Sequence, residues 1–192
     1  MYLPRRTTLG VLLAAGAGSR FTGSHHKLLA PLKGIPVVSY AVSAMKTAGF
    51  EDCIAITGSV ALTGLLDDVT EVHNPDWATG QRSSVLAAID YAETHGFASI
   101  VVGLGDQPFI ESNAWHAVAN ADSPIAIATY DGIRGNPVKL SSSVWDLFRS
   151  TPGDPDVGAR ALIHLHPELV REVACKGNSA DIDTTEDLSK WI

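Results

Sequence analysis

Five short apolar runs recur along this chain, at residues 9–13, 53–57, 69–73, 99–104 and 125–129, with intervals between them long enough to hold helices. Several of the runs are continuously apolar, which marks strands buried on both faces. The intervals carry helical patterns. Residues 37–48 follow Pro36, which suits a first helical turn. Residues 59–66 set Leu62, Leu65 and Leu66 on one side, and 83–94 set Val85, Leu86, Ile89 and Ala92 on one face behind a serine N-cap. A further helix is expected over 111–121. Past Tyr130 the pattern predicts short strands at 138–140 and 169–173, helices near 144–148 and 158–164, and a last helix from Thr185. Alternation of this kind predicts an α/β fold, a mostly parallel sheet with helices on both faces. With 192 residues, and neither repeats nor linker composition, one domain over 1–192 is expected.

Composition narrows the function. The chain has 14 Lys and Arg against 21 Asp and Glu, a net charge of −7, so it lacks the basic face of a duplex-binding protein and a nucleic-acid partner is not expected. No apolar run reaches the ~18 residues of a membrane span. Cys53 and Cys175 each lie in an apolar, strand-like stretch and read as buried thiols of a reducing compartment. Arg5-Arg6 and the run after it imitate a twin-arginine leader, but that run continues into Gly16-Ala17-Gly18-Ser19-Arg20, and a cytoplasmic protein is expected.

In a sheet of this class ligands bind beyond the carboxyl ends of the strands. The first run ends in Leu13-Ala14-Ala15-Gly16-Ala17-Gly18-Ser19-Arg20-Phe21, with Lys27 shortly after. Small residues let backbone N–H groups approach an anion, and Arg20 and Lys27 supply charge to phosphate oxygens. Phe21 stands where a dinucleotide fingerprint needs its third glycine, and no Gly-Lys-Ser/Thr follows as a Walker loop requires. A merely tight turn leaves the two cations unexplained.

The fourth run leads into Gly105-Asp106-Gln107-Pro108. A carboxylate at the tip of a buried strand needs a cation, and Mg²⁺, held by one or two carboxylates plus phosphate and water, suits Asp106. The alternative for Asp106 is an N-cap ahead of the 111–121 helix. Asp181 and Asp183 alternate along an extended stretch, face the same way and can share a metal. Glu186 and Asp187 read either as part of this acidic cluster or, with Thr184, as local capping. His25-His26 reads as a solvated loop pair, and His164-x-His166 as cations at a helix end.

At these motifs the chain resembles the molybdenum cofactor nucleotidyltransferases, and within them the cytidylyltransferase branch. Carrying the resemblance are Leu13-Ala14-Ala15-Gly16 with Ser19-Arg20-Phe21, and Lys27-Leu28-Leu29-Ala30-Pro31-Leu32-Lys33-Gly34-Ile35-Pro36. Gly80-Gln81-Arg82-Ser83-Ser84-Val85, Gly105-Asp106-Gln107-Pro108, Gly135-Asn136-Pro137-Val138, Gly153-Asp154 with Gly158-Ala159-Arg160, and Asp181-Ile182-Asp183-Thr184-Thr185-Glu186-Asp187-Leu188 follow in family order. The segment from Phe21 to Lys27 is at least one residue longer than usual, Pro155-Asp156 looks inserted, Asn136 replaces a histidine and Thr185 a proline.

The resemblance implies a Rossmann-like nucleotidyltransferase fold that joins a nucleotide to a phosphorylated acceptor and releases pyrophosphate. It implies that Leu13, Ala14, Ala15, Gly16, Gly18 and Ser19 form the nucleotide loop, that Ser84, expected just before the 83–94 helix, helps read the base, and that Arg20 and Lys27 hold the triphosphate. Asp106 with Asp183 or Asp181 is expected to bind Mg²⁺, and Gly135, Asn136, Pro137 and Arg160 to line the acceptor pocket. Ala15 points to CTP, since a glycine there accompanies guanylyl transfer. The implied acceptor is the pterin of the molybdenum cofactor, and the implied recipient a molybdenum hydroxylase with its maturation proteins. Guanylyl transfer to molybdopterin or to a phospholactate-type acceptor, and a non-catalytic nucleotide-binding chaperone, are the alternatives; pyrophosphate release separates them.

Overall fold

In the computed structural model, which describes residues 6–152, 154, 156 and 158–192, β1 (Arg6–Ala14) runs through the middle of a seven-stranded sheet. β2 (Pro31–Leu32) and β3 (Ile35–Pro36) form a small separate hairpin ahead of α1 (Val37–Thr47). β4 (Asp52–Thr57) and β5 (Thr70–His73) follow, then α2 (Gln81–Thr94), β6 (Phe97–Leu104) and α3 (Ser112–Ala119). β7 (Ile125–Tyr130), β8 (Ile133–Ser141), α4 (Trp145–Ser150), α5 (Arg160–Leu165), β9 (Val170–Ala174) and α6 (Thr185–Ser189) complete the chain. The strand order is β5-β4-β1-β6-β8-β7-β9, parallel except that β8 runs against both neighbours.

The core confirms burial on both faces. Leu9, Val11 and Leu13 of β1 join one apolar cluster with Val85, Ile89 and Phe148, while Leu12 and Ala14 join another with Val38, Met45 and Trp115. Close packing reaches the backbone at Gly103, where a Cβ would run into the Trp115 ring.

Four expectations change. Residues 59–66 are not a helix. Ser59 is bound to the first loop through its N–H (to Ala15 O, 3.0 Å) and its hydroxyl (to Gly16 O, 2.6 Å), and Gly64 takes φ +74°; Leu62 is fully buried, while Leu65 and Leu66 pack against the core only in part. α2 begins at Gln81, two residues early, with Gly80 rather than a serine at its N-cap. The expected 138–140 strand is the end of a nine-residue β8, because Asp131-Gly132, both at positive φ, turn β7 directly back on itself. That turn is the Asp-Gly hairpin signal, legible in the sequence. The helix expected over 111–121 is confined to Ser112–Ala119, and its N-cap position is Glu111, so Asp106 does not cap it. Among the described residues, no helix is long and apolar enough to cross a membrane.

Candidate active site

The parallel register of β1 and β6 pairs Leu13 with Leu104, so the two strands end side by side. The Gly105 N–H donates to Leu13 O at 2.9 Å, which lays the loop carrying Asp106 against the loop that begins at Ala15. Gly18 at φ +62° turns that first loop back, and Gly16 O accepts from His26 Nε2 at 3.1 Å. The Leu28 N–H donates to His26 Nδ1 at 3.2 Å, so the imidazole is neutral with its proton on Nε2. Burial lowers the pKa of His26, opposed by its hydrogen bond to Gly16, which agrees with that form. His26, read from sequence as solvated, clamps the loop instead.

This curl delivers Lys27 into the site. Its ammonium lies 2.5 Å from Asp106 Oδ2 and 2.8 Å from Asp183 Oδ1, with the lysine side chain only 12% exposed. Burial alone would lower the pKa of Lys27, but the two carboxylates outweigh it and raise it. Arg20, largely exposed, donates to Asp183 Oδ2 at 2.8 Å. Asp183 is held near Asp106 by Ile182, whose side chain is fully buried and whose N–H donates to Asp106 O at 2.9 Å. Behind it Thr184 and Asp187 form a reciprocal capping box at the start of α6, the capping alternative the sequence offered for Asp187.

Asp181 points elsewhere. Gln107, buried, donates from Nε2 to Asp181 Oδ1 at 2.5 Å and to Ser179 O at 3.1 Å, while its Oε1 accepts from Asn136 Nδ2 at 3.0 Å. Loss of water and the nearby Asp106 charge raise the pKa of Asp181, against the Gln107 hydrogen bond. Sequence reasoning gave Gln107 no role beyond its motif. It joins three distant segments.

The donor set fits a divalent cation. Asp106 Oδ1 is buried with no hydrogen-bond partner among the described residues, an arrangement that costs free energy until a cation or donor arrives. With two carboxylates at hand, phosphate and water would complete the shell, as is usual for Mg²⁺.

Two adjacent cavities flank this centre. The first, about 450 Å³, is lined by Leu13, Ala14, Ala15, Gly16, Ser19 and Lys27, and by Ser84 and Asp106 across from them. Ser84 lies within the first turn of α2, not before it, and its hydroxyl accepts from Asn74 Nδ2 at 3.1 Å; Asn74, itself buried, was not singled out in the sequence. Gly18, Arg20, Asp181 and Asp183 stand outside this lining. The second cavity, about 250 Å³, is lined by Gly135, Asn136 and Arg160 among others, and the two share Gln81 and Leu104. Pro137 is not in its wall; a cis peptide joins it to Asn136, whose carbonyl accepts from the Tyr130 hydroxyl at 2.8 Å. Arg5, Gly153 and Pro155, noted in the sequence motifs, lie outside the described residues.

Known proteins resemble this chain in sequence and fold. Residues 10–172 match the MobA-like NTP transferase domain. Purine catabolism protein PucB of Bacillus subtilis strain 168 is 28% identical over 93% of both chains. A nucleotidyl transferase from Methanothermobacter thermautotroptrophicus superposes with TM-score 0.79 at 25% identity, covering 95% of this chain and 94% of its own. Rv0371C from Mycobacterium tuberculosis H37Rv, in complex with manganese, gives TM-score 0.71 at 26% identity over 97% of both chains. The matched span, supported by the relatives and the shared fold, places the chain in the MobA-like NTP transferase family, the molybdenum cofactor nucleotidyltransferases that its motifs resemble.

Proposed function

We propose that the protein transfers CMP from CTP to the terminal phosphate of molybdopterin or the molybdenum cofactor, releasing pyrophosphate. The observation that carries this reading is the adjacency of the two cavities: a cleft of about 450 Å³ holding Lys27 and Asp106 shares Gln81 and Leu104 with a second pocket, lined by apolar side chains together with Arg134, Asn136 and Arg160. CTP lies in the first with its base against the Ala14-Ala15-Gly16 backbone and Ser84. The pterin lies in the second, past Asn136 and Arg160.

The chain's own residues position and neutralise. Backbone N–H groups of the first loop and the Lys27 ammonium hold the phosphates, and Arg20 swings from Asp183 to join them. An acceptor phosphate oxygen then attacks the α-phosphorus in line, the bond to the β-phosphate oxygen breaks, and pyrophosphate leaves with that electron pair. No covalent enzyme intermediate is required. When bound by Asp106 and Asp183, Mg²⁺ would supply charge stabilisation at the phosphates. Asp181, occupied by Gln107, supports the second carboxylate and does not replace it.

Base choice rests on Ala15, which is buried in the cleft wall, where its methyl narrows the space for a purine. A reducing, cytoplasmic setting and a molybdenum hydroxylase as recipient complete the reading. Cys53 and Cys175 are both free, in keeping with that setting.

The test is pyrophosphate release with Mg²⁺ and each of CTP, GTP, ATP and UTP, with and without molybdenum-loaded molybdopterin. Release with CTP that requires the pterin is expected. Release with GTP overturns the base assignment, release only with phospholactate overturns the acceptor, and nucleotide binding without release with any acceptor makes the protein a chaperone.

A further inference from the structure

The floor of the second cavity is apolar: Val85, Val102, Ile127, Val138, Leu140 and Ile163 line it, most of it one face of the sheet. A flat ring system fits such a floor. Its mouth has a different chemistry. Arg134 of β8 and Arg160 and His164 of α5 line it, and among the described residues no Asp or Glu does, in a chain whose net charge is −7. Arg134 donates from Nε to Glu172 Oε1 at 2.7 Å, which holds the side chain and leaves both terminal amino groups free to donate. Arg160 and His164 make no ion pair with a described residue. They stand one turn apart on one face of a short helix. With Arg134 they set three donor-bearing side chains around one mouth.

The place of this rim matters. Lys27 and Asp106 line only the first cleft, and Arg134, Arg160 and His164 only the second. β8 lies two strands from β1, about 10 Å across the sheet at ordinary strand spacing. A molecule whose phosphate reaches the Gln81–Leu104 junction therefore presents its other end to the rim.

We propose that Arg134, Arg160 and His164 form an anion-binding rim, and that the acceptor is a flat molecule carrying a negatively charged group besides the phosphate that reacts. The inference rests on the proposed function only in taking the second cavity to be the acceptor's. The guanidinium forks bind that group by paired, charge-assisted hydrogen bonds, and the His164 ring adds a donor.

Two probes of the same shape test it without a pterin. Binding of 2-naphthoate and of neutral 2-naphthamide is followed by amide chemical shifts in the parent protein and in the doubly substituted Arg134→Gln/Arg160→Gln protein, with and without Mg-CTP. Naphthoate is expected to shift amides of β8 and α5, to bind about tenfold more tightly than naphthamide, and to stay bound when CTP is added. In the substituted protein the two probes should bind alike, while CTP binding is unchanged. Equal affinity in the parent, unchanged naphthoate affinity in the substituted protein, displacement by CTP, or no binding at millimolar concentration each overturns the inference. In the transfer assay the same pair of substitutions should raise the acceptor KM and leave the CTP KM alone. If no acceptor is nucleotidylated yet naphthoate binds at the rim, the proposed function falls and the rim stands.

Discussion

At the carboxyl end of β1 the wall of the cleft is backbone and ion pairs: small residues, a lysine between two aspartates, and a neutral histidine holding the loop. Two strands away the second cavity is side-chain surface, an apolar floor under an arginine-bearing mouth. The first region places charge to within a hydrogen bond's tolerance, which phosphoryl-group chemistry demands. The second offers shape and a few polar contacts, which suits recognition of a particular acceptor. In the proposed reading, chemistry draws on the loops after β1 and β6 together with Asp183 from the far end of the chain, and acceptor specificity on β8 and α5.

The comparison breaks most sharply at Asp106. Asp106→Asn keeps the side chain's shape and removes the charge that the buried Oδ1 offers a cation. Transfer rate is expected to fall by roughly three orders of magnitude, about 4 kcal/mol, with naphthoate binding in the second cavity untouched. Steady-state pyrophosphate release and the shift assay report the two halves separately, and near-normal turnover would remove Asp106 from the centre.

Lys27→Met should be next. It leaves Asp106 and Asp183 side by side without their shared cation, and kcat/KM is expected to drop about 100-fold. Stability should fall by about 1–2 kcal/mol, less than for a fully buried pair, because these side chains are 12–21% exposed. Denaturant unfolding in the absence of nucleotide measures the second effect on its own.

Ala15→Gly sharpens the comparison within the first region. Opening the cleft wall by one methyl should move the ratio of kcat/KM for CTP over GTP toward GTP by about tenfold, leaving the acceptor KM where it was. A ratio that does not move places base choice in Ser84 or Asn74 instead.

His26 gives the smallest effect, and one with a definite sign. Its folded pKa lies below the ordinary value, so the fold favours the unprotonated ring, with Nδ1 accepting from Leu28. The stabilisation is therefore fully present above about pH 6.5 and is lost as pH falls through the lowered value. Protonation breaks the Leu28 bond and sets a second positive charge beside Lys27. Stability should decline by about 1 kcal/mol between pH 7 and 5 beyond the change in His26→Gln, read as the difference between the two unfolding profiles.

Much of the first region is legible in the chain because its parts are local. The small-residue loop after a continuous apolar run and the Gly105-Asp106 strand tip carry their chemistry in adjacent residues. Ser84 was legible as a residue but not in its place: Gly80 at φ +116° starts α2 two positions before the serine that resembled a cap. The 59–66 segment shows the same limit. Three leucines at helical spacing outweighed one glycine in the pattern, yet Ser59 is anchored to the first loop and the segment follows that anchor. The Asp131-Gly132 hairpin was there to read, and it alone turns β8 against its neighbours.

By itself the sequence determined the strand–helix alternation, the loop that approaches phosphate and the acidic residues at the strand ends, because periodicity, glycine and buried charge act over a few residues. Only the tertiary structure decided which carboxylate faces Lys27. Asp183 does and Asp181 does not, since Gln107, 74 residues from Asp181, claims the latter's oxygen. It also decided that Arg134 and Arg160 share one cavity mouth. Those pairings follow from the register of strands and the packing of helices on the sheet, which bring together residues whose separation along the chain carries no trace of their contact.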